Sequence, residues 1–245
     1  MDGVANKVVV VAGASSGIGE ATAVQLARRG ARLVLGGRRV ELLNELASRV
    51  ADLGGVAVPV QADVRRGEDV AQLVSAAQQE FGRLDVMFSN AGSMAVSSYD
   101  ELRVDDWELM VDTNIKGVLH GIAAALPVFR SQTTGHFVHT ASTAAYKVVP
   151  SQAVYAATKS AVKVLTEGLR QEAGPNLRVT LVSPGFTHTE GIGKGGSPAT
   201  ATDLIAMRDA IAMPPDAIAR AVAFAIEQPP GVDVGEIVVR PTAQG

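Results

Sequence analysis

The sequence predicts an α/β fold: an open, doubly wound, seven-stranded parallel sheet in a single domain. Three observations carry this. Short apolar runs without polar alternation read as strands buried on both faces, helix-spaced segments lie between them, and the two types alternate along most of the chain. Right-handed crossovers between successive parallel strands then put helices on both faces of the sheet.

Taken in order, residues 8–11 form a β-branched run ending at Gly13, followed by a helical pattern over 17–29. A strand at 32–35, a helix at 40–53, a strand at 56–60, a helix at 69–81 and a strand at 84–88 continue the rhythm. The second half predicts a long helix over 112–130, a strand at 135–141, a helix over 152–173, a strand at 177–182, a helix after Pro215 and a last strand at 236–240. The stretch 187–213 is rich in Gly, Ser, Thr and Pro and follows a strand end, so it is expected to be a long mobile loop that acts as a substrate lid. No linker or repeat divides the chain, and the single domain is expected to span 1–245.

Composition narrows the function. The 245 residues are 47% hydrophobic and 19% charged, enough for a sizeable core, and the net charge of −3 is scattered, which argues against nucleic acid or anionic membrane as partner. Cysteine is absent, excluding disulfides, thiolate metal sites and a cysteine nucleophile. An acidic start at Met1, Asp2 and Gly3 and the lack of an apolar run of about 18 residues lead to the expectation of a cytoplasmic protein.

Two features point to a nucleotide. Between the first strand and first helix stands Ala12-Gly13-Ala14-Ser15-Ser16-Gly17-Ile18-Gly19, whose glycines permit a tight turn and close approach of a pyrophosphate to the helix N-terminus. The second strand ends in Gly36-Gly37-Arg38-Arg39, with no carboxylate to hold the ribose hydroxyls of NAD. Two guanidinium groups suited to a 2′-phosphate stand there instead, so NADP is the expected cofactor.

Tyr155 and Lys159 are four residues apart in a predicted helix, hence about one turn from each other on the same face. The ammonium, with a cationic nicotinamide ring, is expected to bring the phenol from its usual pKa of about 10 towards neutrality and make it a usable acid and base. Ser142 lies at the end of a predicted strand, Asn114 lies in the long helix before it, and Asn90-Ala91-Gly92 follows the fourth strand.

Together these motifs, in this order, resemble the NAD(P)-dependent short-chain dehydrogenase/reductase family over nearly the whole chain, from Lys7 to Arg240. The resemblance implies a Rossmann-type sheet and a small-molecule carbonyl or alcohol substrate. It implies that Tyr155 exchanges the proton with the substrate oxygen, that Lys159 lowers its pKa and bonds the nicotinamide ribose, that Ser142 hydrogen-bonds the substrate oxygen, and that Asn114 holds a water in a proton relay behind Lys159. It also implies that Gly13, Ser15, Ser16, Gly17, Ile18 and Gly19 bind the cofactor, with Gly37, Arg38 and Arg39 at the 2′-phosphate. Asp63 and Val64 would meet the adenine, Asn90, Ala91 and Gly92 would line the ribose region, and Pro184, Gly185, Thr187 and Thr189 would hold the carboxamide and diphosphate. Homotetrameric assembly through the long apolar helices is implied on the same basis.

The sequence departs from the family pattern twice. Ala12 replaces the usual Thr whose hydroxyl ties the turn to Asn-Ala-Gly, and Ser15 and Ser16 stand where NADP-selective members often carry a basic residue, so preference for NADP rather than strict specificity is expected.

Other readings fit less well. A serine hydrolase would need His139 to activate Ser142, but residues three apart on a strand face opposite ways and no Gly-x-Ser-x-Gly elbow surrounds Ser142. His120, His136 and His188 lack metal-ligand spacing, and no metal is expected. A non-catalytic cofactor-binding protein would be expected to lack Tyr155 or Lys159, and both are present. An NAD-dependent alcohol-oxidising or epimerising enzyme is the main alternative to an NADP-preferring reductase of a small ketone or aldehyde. The substrate region is expected at 93–96, at 144–151 with Tyr146, Val148, Val149 and Pro150 as apolar wall, and at Phe186, with Lys147 and His188 as polar contacts.

Overall fold

Alternate side chains of a strand face opposite ways, and the run Val8-Val9-Val10-Val11 is buried throughout because both of its faces are covered. The computed structural model describes residues 3–244; Met1, Asp2 and Gly245, the ends of the expected domain span, lie outside the described residues. The strands are β1 (Val8–Ala12), β2 (Arg32–Gly37), β3 (Val56–Gln61), β4 (Val86–Ser89), β5 (Gly135–Thr140), β6 (Leu177–Pro184) and β7 (Glu236–Val239). The helices are α1 (Gly17–Ala27), α2 (Val40–Asp52), α3 (Gly67–Phe81), α4 (Val104–Met110), α5 (Gly117–Gln132), α6 (Ala153–Ala173), α7 (Pro198–Ile211) and α8 (Asp216–Glu227).

All pairings in the seven-stranded sheet are parallel, in the order β3-β2-β1-β4-β5-β6-β7. Val9, Val11, Leu33, Leu35 and Phe88 pack on one face against Leu26, Leu46 and Val222 of α1, α2 and α8. Val8, Val10, Val34, Met87 and Phe137 pack on the other against Leu73, Phe129 and Leu169 of α3, α5 and α6. The chain order reverses between β1 and β4, and a crevice opens there beyond the strand carboxyl ends, where such sheets bind ligands.

The structure corrects three expectations. The edge strands are not buried on both faces: β3 is only partly covered, with Val56 52% exposed, and β7 alternates exposed and half-buried residues. The helix expected over 112–130 begins earlier, as α4, and runs through a π-helical segment, Val111–Lys116, into α5. A π turn inserts one extra residue per turn and rotates the side chains that follow, a shift that a 3.6-residue pattern does not reveal.

The third correction concerns 187–213, which is not a featureless loop. Ser197 caps α7 by accepting a hydrogen bond from the Thr200 N–H at 3.3 Å, and Pro198 occupies the first helical turn, where its missing N–H costs nothing. The base of this segment is tied down by bridges from Thr187 to Met213 and from Val96 to Gly196. Among the described residues, no helix is long and apolar enough to cross a membrane.

Candidate active site

The glycine turn is shaped by close backbone approach. Gly13 has φ +93°, and a Cβ there would fall 2.7 Å from the Ala91 Cα; Gly19, buried in α1 behind the turn, passes so close that its Cβ would lie 2.0 Å from the Gly13 carbonyl oxygen. The missing Thr hydroxyl at Ala12 is replaced by backbone: the Asn90 and Ala91 N–H groups donate to the Ala12 carbonyl at 3.0 and 2.8 Å. Asn90 Nδ2 adds a bond to the Gly13 carbonyl at 3.1 Å, and Thr140 Oγ1 donates to Asn90 Oδ1 at 3.2 Å, so three strand ends are tied into one rim.

Ser16, at the N-cap of α1, makes no side-chain cap, so the first-turn N–H groups stay available to an anion. Its hydroxyl instead accepts from Arg39 Nη2 at 2.8 Å, and the same nitrogen reaches Ser15 Oγ at 3.2 Å. Arg39 thus brings to the turn the positive charge that Ser15 and Ser16 lack. Arg38 is exposed, and its guanidinium makes no hydrogen bond or ion pair among the described residues.

These groups open on a cavity of about 920 Å³. Of the residues expected at the site, Gly13, Ser15, Ser16, Gly17, Ile18, Gly37, Arg38, Arg39, Asp63, Val64, Asn90, Ala91, Gly92, Ser142, Tyr155, Lys159, Pro184, Gly185, Thr187 and Thr189 line it; Gly19 and Asn114 do not. The Asp63 carboxylate is held by Arg65, with Nε at 3.0 Å, which keeps its pKa below the usual carboxylate range. The Thr187 hydroxyl donates to the Gly185 carbonyl within its own turn at 2.9 Å. A tight turn, a helix N-terminus without a side-chain cap and unengaged cationic charge suit a dinucleotide with an anionic centre.

At the deep end, β5 delivers Ser142 just beyond its last residue. The Ser142 oxygen accepts from the Ala144 N–H at 3.1 Å, which leaves its own proton to donate, and the hydroxyl lies near enough to the Tyr155 phenol to favour its ionised form. Burial pushes the Tyr155 phenol above its ordinary pKa, and the Ser142 hydroxyl opposes this only in part. The expected lowering by Lys159 is tied to a bound cationic nicotinamide ring, which is not part of this balance. Lys159 Nζ sits 5.9 Å from the centroid of the Tyr155 ring and is itself pushed down to about 8 by burial.

Asn114, 1% exposed, sits on the π segment. Its Nδ2 donates to the Ser93 carbonyl and to Thr158 Oγ1, both at 2.9 Å, and its Oδ1 accepts from the Ser93 N–H at 2.7 Å. Both amide protons are therefore committed, and one Oδ1 lone pair remains for a water that donates to it.

His139 is buried against Thr166 Oγ1 at 2.9 Å, so the histidine a hydrolase would need is engaged elsewhere. His120 faces the Val64 carbonyl oxygen at 2.8 Å. Among the described residues, no group of three or more His, Cys, Asp or Glu is placed to hold a metal ion.

The substrate end has an apolar wall of Met94, Leu109, Val149, Phe186, Met207 and Ile211. Sequence reasoning missed Leu109, which sits on α4, a helix it did not predict; Met207 and Ile211 fall within the expected lid at 187–213, on α7. Gln244, also missed, enters from the far end of the chain. Val148, Pro150 and His188, expected there, do not line the cavity; Val148 is 66% exposed. Lys147 does line it, and the Tyr146 hydroxyl lies 3.1 Å from Ser183 Oγ.

Comparison with known proteins agrees with this geometry. Residues 7–196 match the family model described as short chain dehydrogenase. An uncharacterized oxidoreductase of Staphylococcus saprophyticus is 43% identical over 100% of this chain and 99% of its own, and one of Listeria innocua is 44% identical over 98% of each. Among solved structures, an alcohol dehydrogenase from Thermococcus sibiricus complexed with 5-hydroxy-NADP superposes with a TM-score of 0.87 at 31% identity over 98% of both chains. A short chain dehydrogenase/reductase from Burkholderia phymatum in complex with NAD gives 0.89 at 29% identity, over 97% of this chain and 90% of that one.

Proposed function

Because the chain belongs to the short-chain dehydrogenase family, we propose that it is an NADP-preferring oxidoreductase that interconverts a small ketone or aldehyde and the corresponding alcohol. The observation that carries the chemistry is the convergence of the Ser142 hydroxyl, the Tyr155 phenol and the buried Lys159 ammonium on one wall of the cavity. A bound nicotinamide dinucleotide supplies or accepts the hydride. Tyr155 then holds the proton that goes to the substrate oxygen in reduction, and burial keeps that proton in place at neutral pH. Ser142, whose oxygen is fixed by the Ala144 N–H, orients the same substrate oxygen by donating to it. Lys159 holds a positive charge beneath Tyr155, favouring phenolate when the reaction runs towards oxidation.

Preference for NADP rests on Arg38, whose guanidinium is unengaged at the end of β2, beside Gly37 where a carboxylate would repel a phosphate. In this reading Gly13 to Gly19 cradle the pyrophosphate, and Asp63, Val64 and Asn90 to Gly92 line the adenosine and ribose path. Pro184 to Thr189 close over the nicotinamide end, with α7 as the lid. The apolar wall around Phe186 and Met207 favours a substrate whose substituents are mainly hydrocarbon. Tetrameric assembly belongs to the same proposal: Val111, Leu119 and Val164 expose apolar surface on adjoining helices, and light scattering of the purified protein measures the mass.

A second reading, an NAD-dependent alcohol oxidiser, is favoured by one observation: Arg39 is already paired with a carboxylate, Glu190, which reduces the positive charge offered to a phosphate. A coenzyme-coupled absorbance screen of carbonyls with NADPH and NADH, and of alcohols with NADP⁺ and NAD⁺, separates the two. Turnover with NADH equal to that with NADPH overturns the NADP assignment, and no turnover with any pair overturns the catalytic one.

A further inference from the structure

The turn after β6 carries Thr189 and Glu190 over the glycine turn, where Thr189 packs so closely that a Cβ on Gly17 would lie 3.0 Å from its Cγ2. Glu190 Oε2 accepts from Arg39 Nη1 at 2.9 Å, closing a contact across 151 residues of sequence. Arg39 Nη2 meanwhile holds Ser15 Oγ and Ser16 Oγ. The same Glu190 oxygen accepts from Lys194 Nζ at 3.2 Å. Glu190, Arg39, Lys194, Ser15 and Ser16 all line the one cavity.

We propose that Glu190 is a specificity-determining residue that sets how strongly the site prefers the phosphorylated coenzyme, by competing with the 2′-phosphate for the Arg39 guanidinium. The inference rests on the reading that Arg38 and Arg39 receive that phosphate. A guanidinium has a fixed fork of donors, and here one arm is taken by the glycine turn and the other by a carboxylate. A phosphate gains the undivided charge and the Nη1 edge of Arg39 only by displacing Glu190. NAD carries no such phosphate, so the Arg39–Glu190 pair persists when NAD binds and imposes no comparable cost.

Lys194 keeps the exchange small. When Arg39 turns to the phosphate, the Glu190 carboxylate retains a cation on its own segment and is not left unpaired. Both partners of the Arg39–Glu190 pair are also well exposed, their side chains 42% and 52% accessible, so solvent screens it. The size of the effect follows: release of the competitor should strengthen binding of the phosphorylated coenzyme by about 2- to 5-fold, the range of an exposed ion pair. Arg38 makes no ion pair among the described residues, the Asp63 carboxylate acting on it only through space, and supplies the constant part of the preference.

The test is calorimetric titration of NADP⁺ and NAD⁺ into the wild-type protein, Glu190→Gln, Arg39→Ala and the double variant. Glu190→Gln is expected to lower the NADP⁺ Kd by about 2- to 5-fold, to move the NAD⁺ Kd far less, and to lose its effect when Arg39 is already Ala. An unchanged ratio of the two constants in Glu190→Gln overturns the proposal. So does an equal gain in the Arg39→Ala background, which would mean simple repulsion between carboxylate and phosphate without Arg39. If Arg39→Ala binds NADP⁺ as tightly as wild type, the underlying assignment of Arg39 to the phosphate fails instead. If Arg39→Ala weakens NADP⁺ while Glu190→Gln does nothing, only the competition is refuted.

Discussion

Lys159 Nζ donates to the carbonyl oxygen of Thr140 at 2.8 Å, so the ammonium on α6 hangs from the last residue of β5 and not from any carboxylate. This choice of partner matters because a carboxylate would neutralise the charge, whereas a carbonyl only orients it. The ammonium stays 4% exposed with protons left to offer into the cavity. The strand therefore registers Lys159 against Ser142, two residues further along the same chain segment, and Tyr155 is placed between them by the turn of α6.

Tyr155→Phe keeps the ring in its packed position and removes the proton. Turnover is expected to fall by about 10²-fold or more while coenzyme affinity is retained. Steady-state kinetics combined with fluorescence titration of NADPH check both halves, and near-normal turnover removes Tyr155 from the proton-transfer role.

Arg38→Ala removes the unengaged guanidinium at the end of β2. The Kd for NADPH is expected to rise by about 5- to 50-fold, as for loss of a charge-assisted contact, with NADH little affected. Equal loss with both coenzymes points to a disturbed fold and not to a lost phosphate contact, and circular dichroism of the variant distinguishes the cases.

Two histidines of β5 make stability sensitive to acid. Burial pushes His136 well below its usual pKa, helped by the nearby charges of Arg178 and Lys7, and pushes His139 down to about 4. Among the described residues His136 Nδ1 and His139 Nε2 have no hydrogen-bond partner, so a proton added there meets no acceptor. Both are neutral in the folded and unfolded chains above pH 6.5, and there they cost nothing. Below 6.5 the unfolded chain binds protons that the folded chain refuses, so stability falls as pH drops from 6.5 through about 4. The slope reaches up to about 1.4 kcal/mol per pH unit for each histidine. Urea midpoints at pH 7.5, 6 and 5 measure it, and a flat profile contradicts the account.

Gln244 ties the substrate wall to the catalytic turn. Its Oε1 accepts from the Phe186 N–H at 2.8 Å and its Nε2 donates to Thr143 Oγ1 at 3.3 Å. Gln244→Ala strands the half-buried Phe186 N–H and frees the wall that Phe186 forms. KM for a carbonyl substrate is expected to rise by about 3- to 10-fold, with kcat less affected, since losing one such bond costs about 1 kcal/mol. Gln244→Glu retains the acceptor and should recover part of the loss. An unchanged KM in Gln244→Ala excludes a positioning role.

The strand and helix sequence was legible because each element carries a local pattern. Four consecutive valines make β1, the glycine turn announces the start of α1, and the four-residue spacing of Tyr155 and Lys159 holds on any α-helix. What escaped was set by contacts between distant segments. The helix α7 hid in a Gly- and Ser-rich stretch because its cap, Ser197, also needs the Val96 segment to dock against, and α4 was lost because the π turn at Asn114 breaks the 3.6-residue rhythm.

The amino-acid sequence by itself determined the alternation of strands and helices in a parallel sheet and the glycine turn, since periodicity and turn chemistry are local properties of the chain, while the set of side chains expected at the strand carboxyl ends came with the family resemblance. Tertiary structure alone decided how those side chains are engaged: Arg39 held by Glu190 across 151 residues, Asn114 committed to Ser93 and Thr158, Lys159 hung from Thr140, and Tyr155 buried beside Ser142. The physical reason is that burial and partner choice depend on what the fold brings within about 3 Å, and no spacing along one segment encodes which distant segment will arrive there.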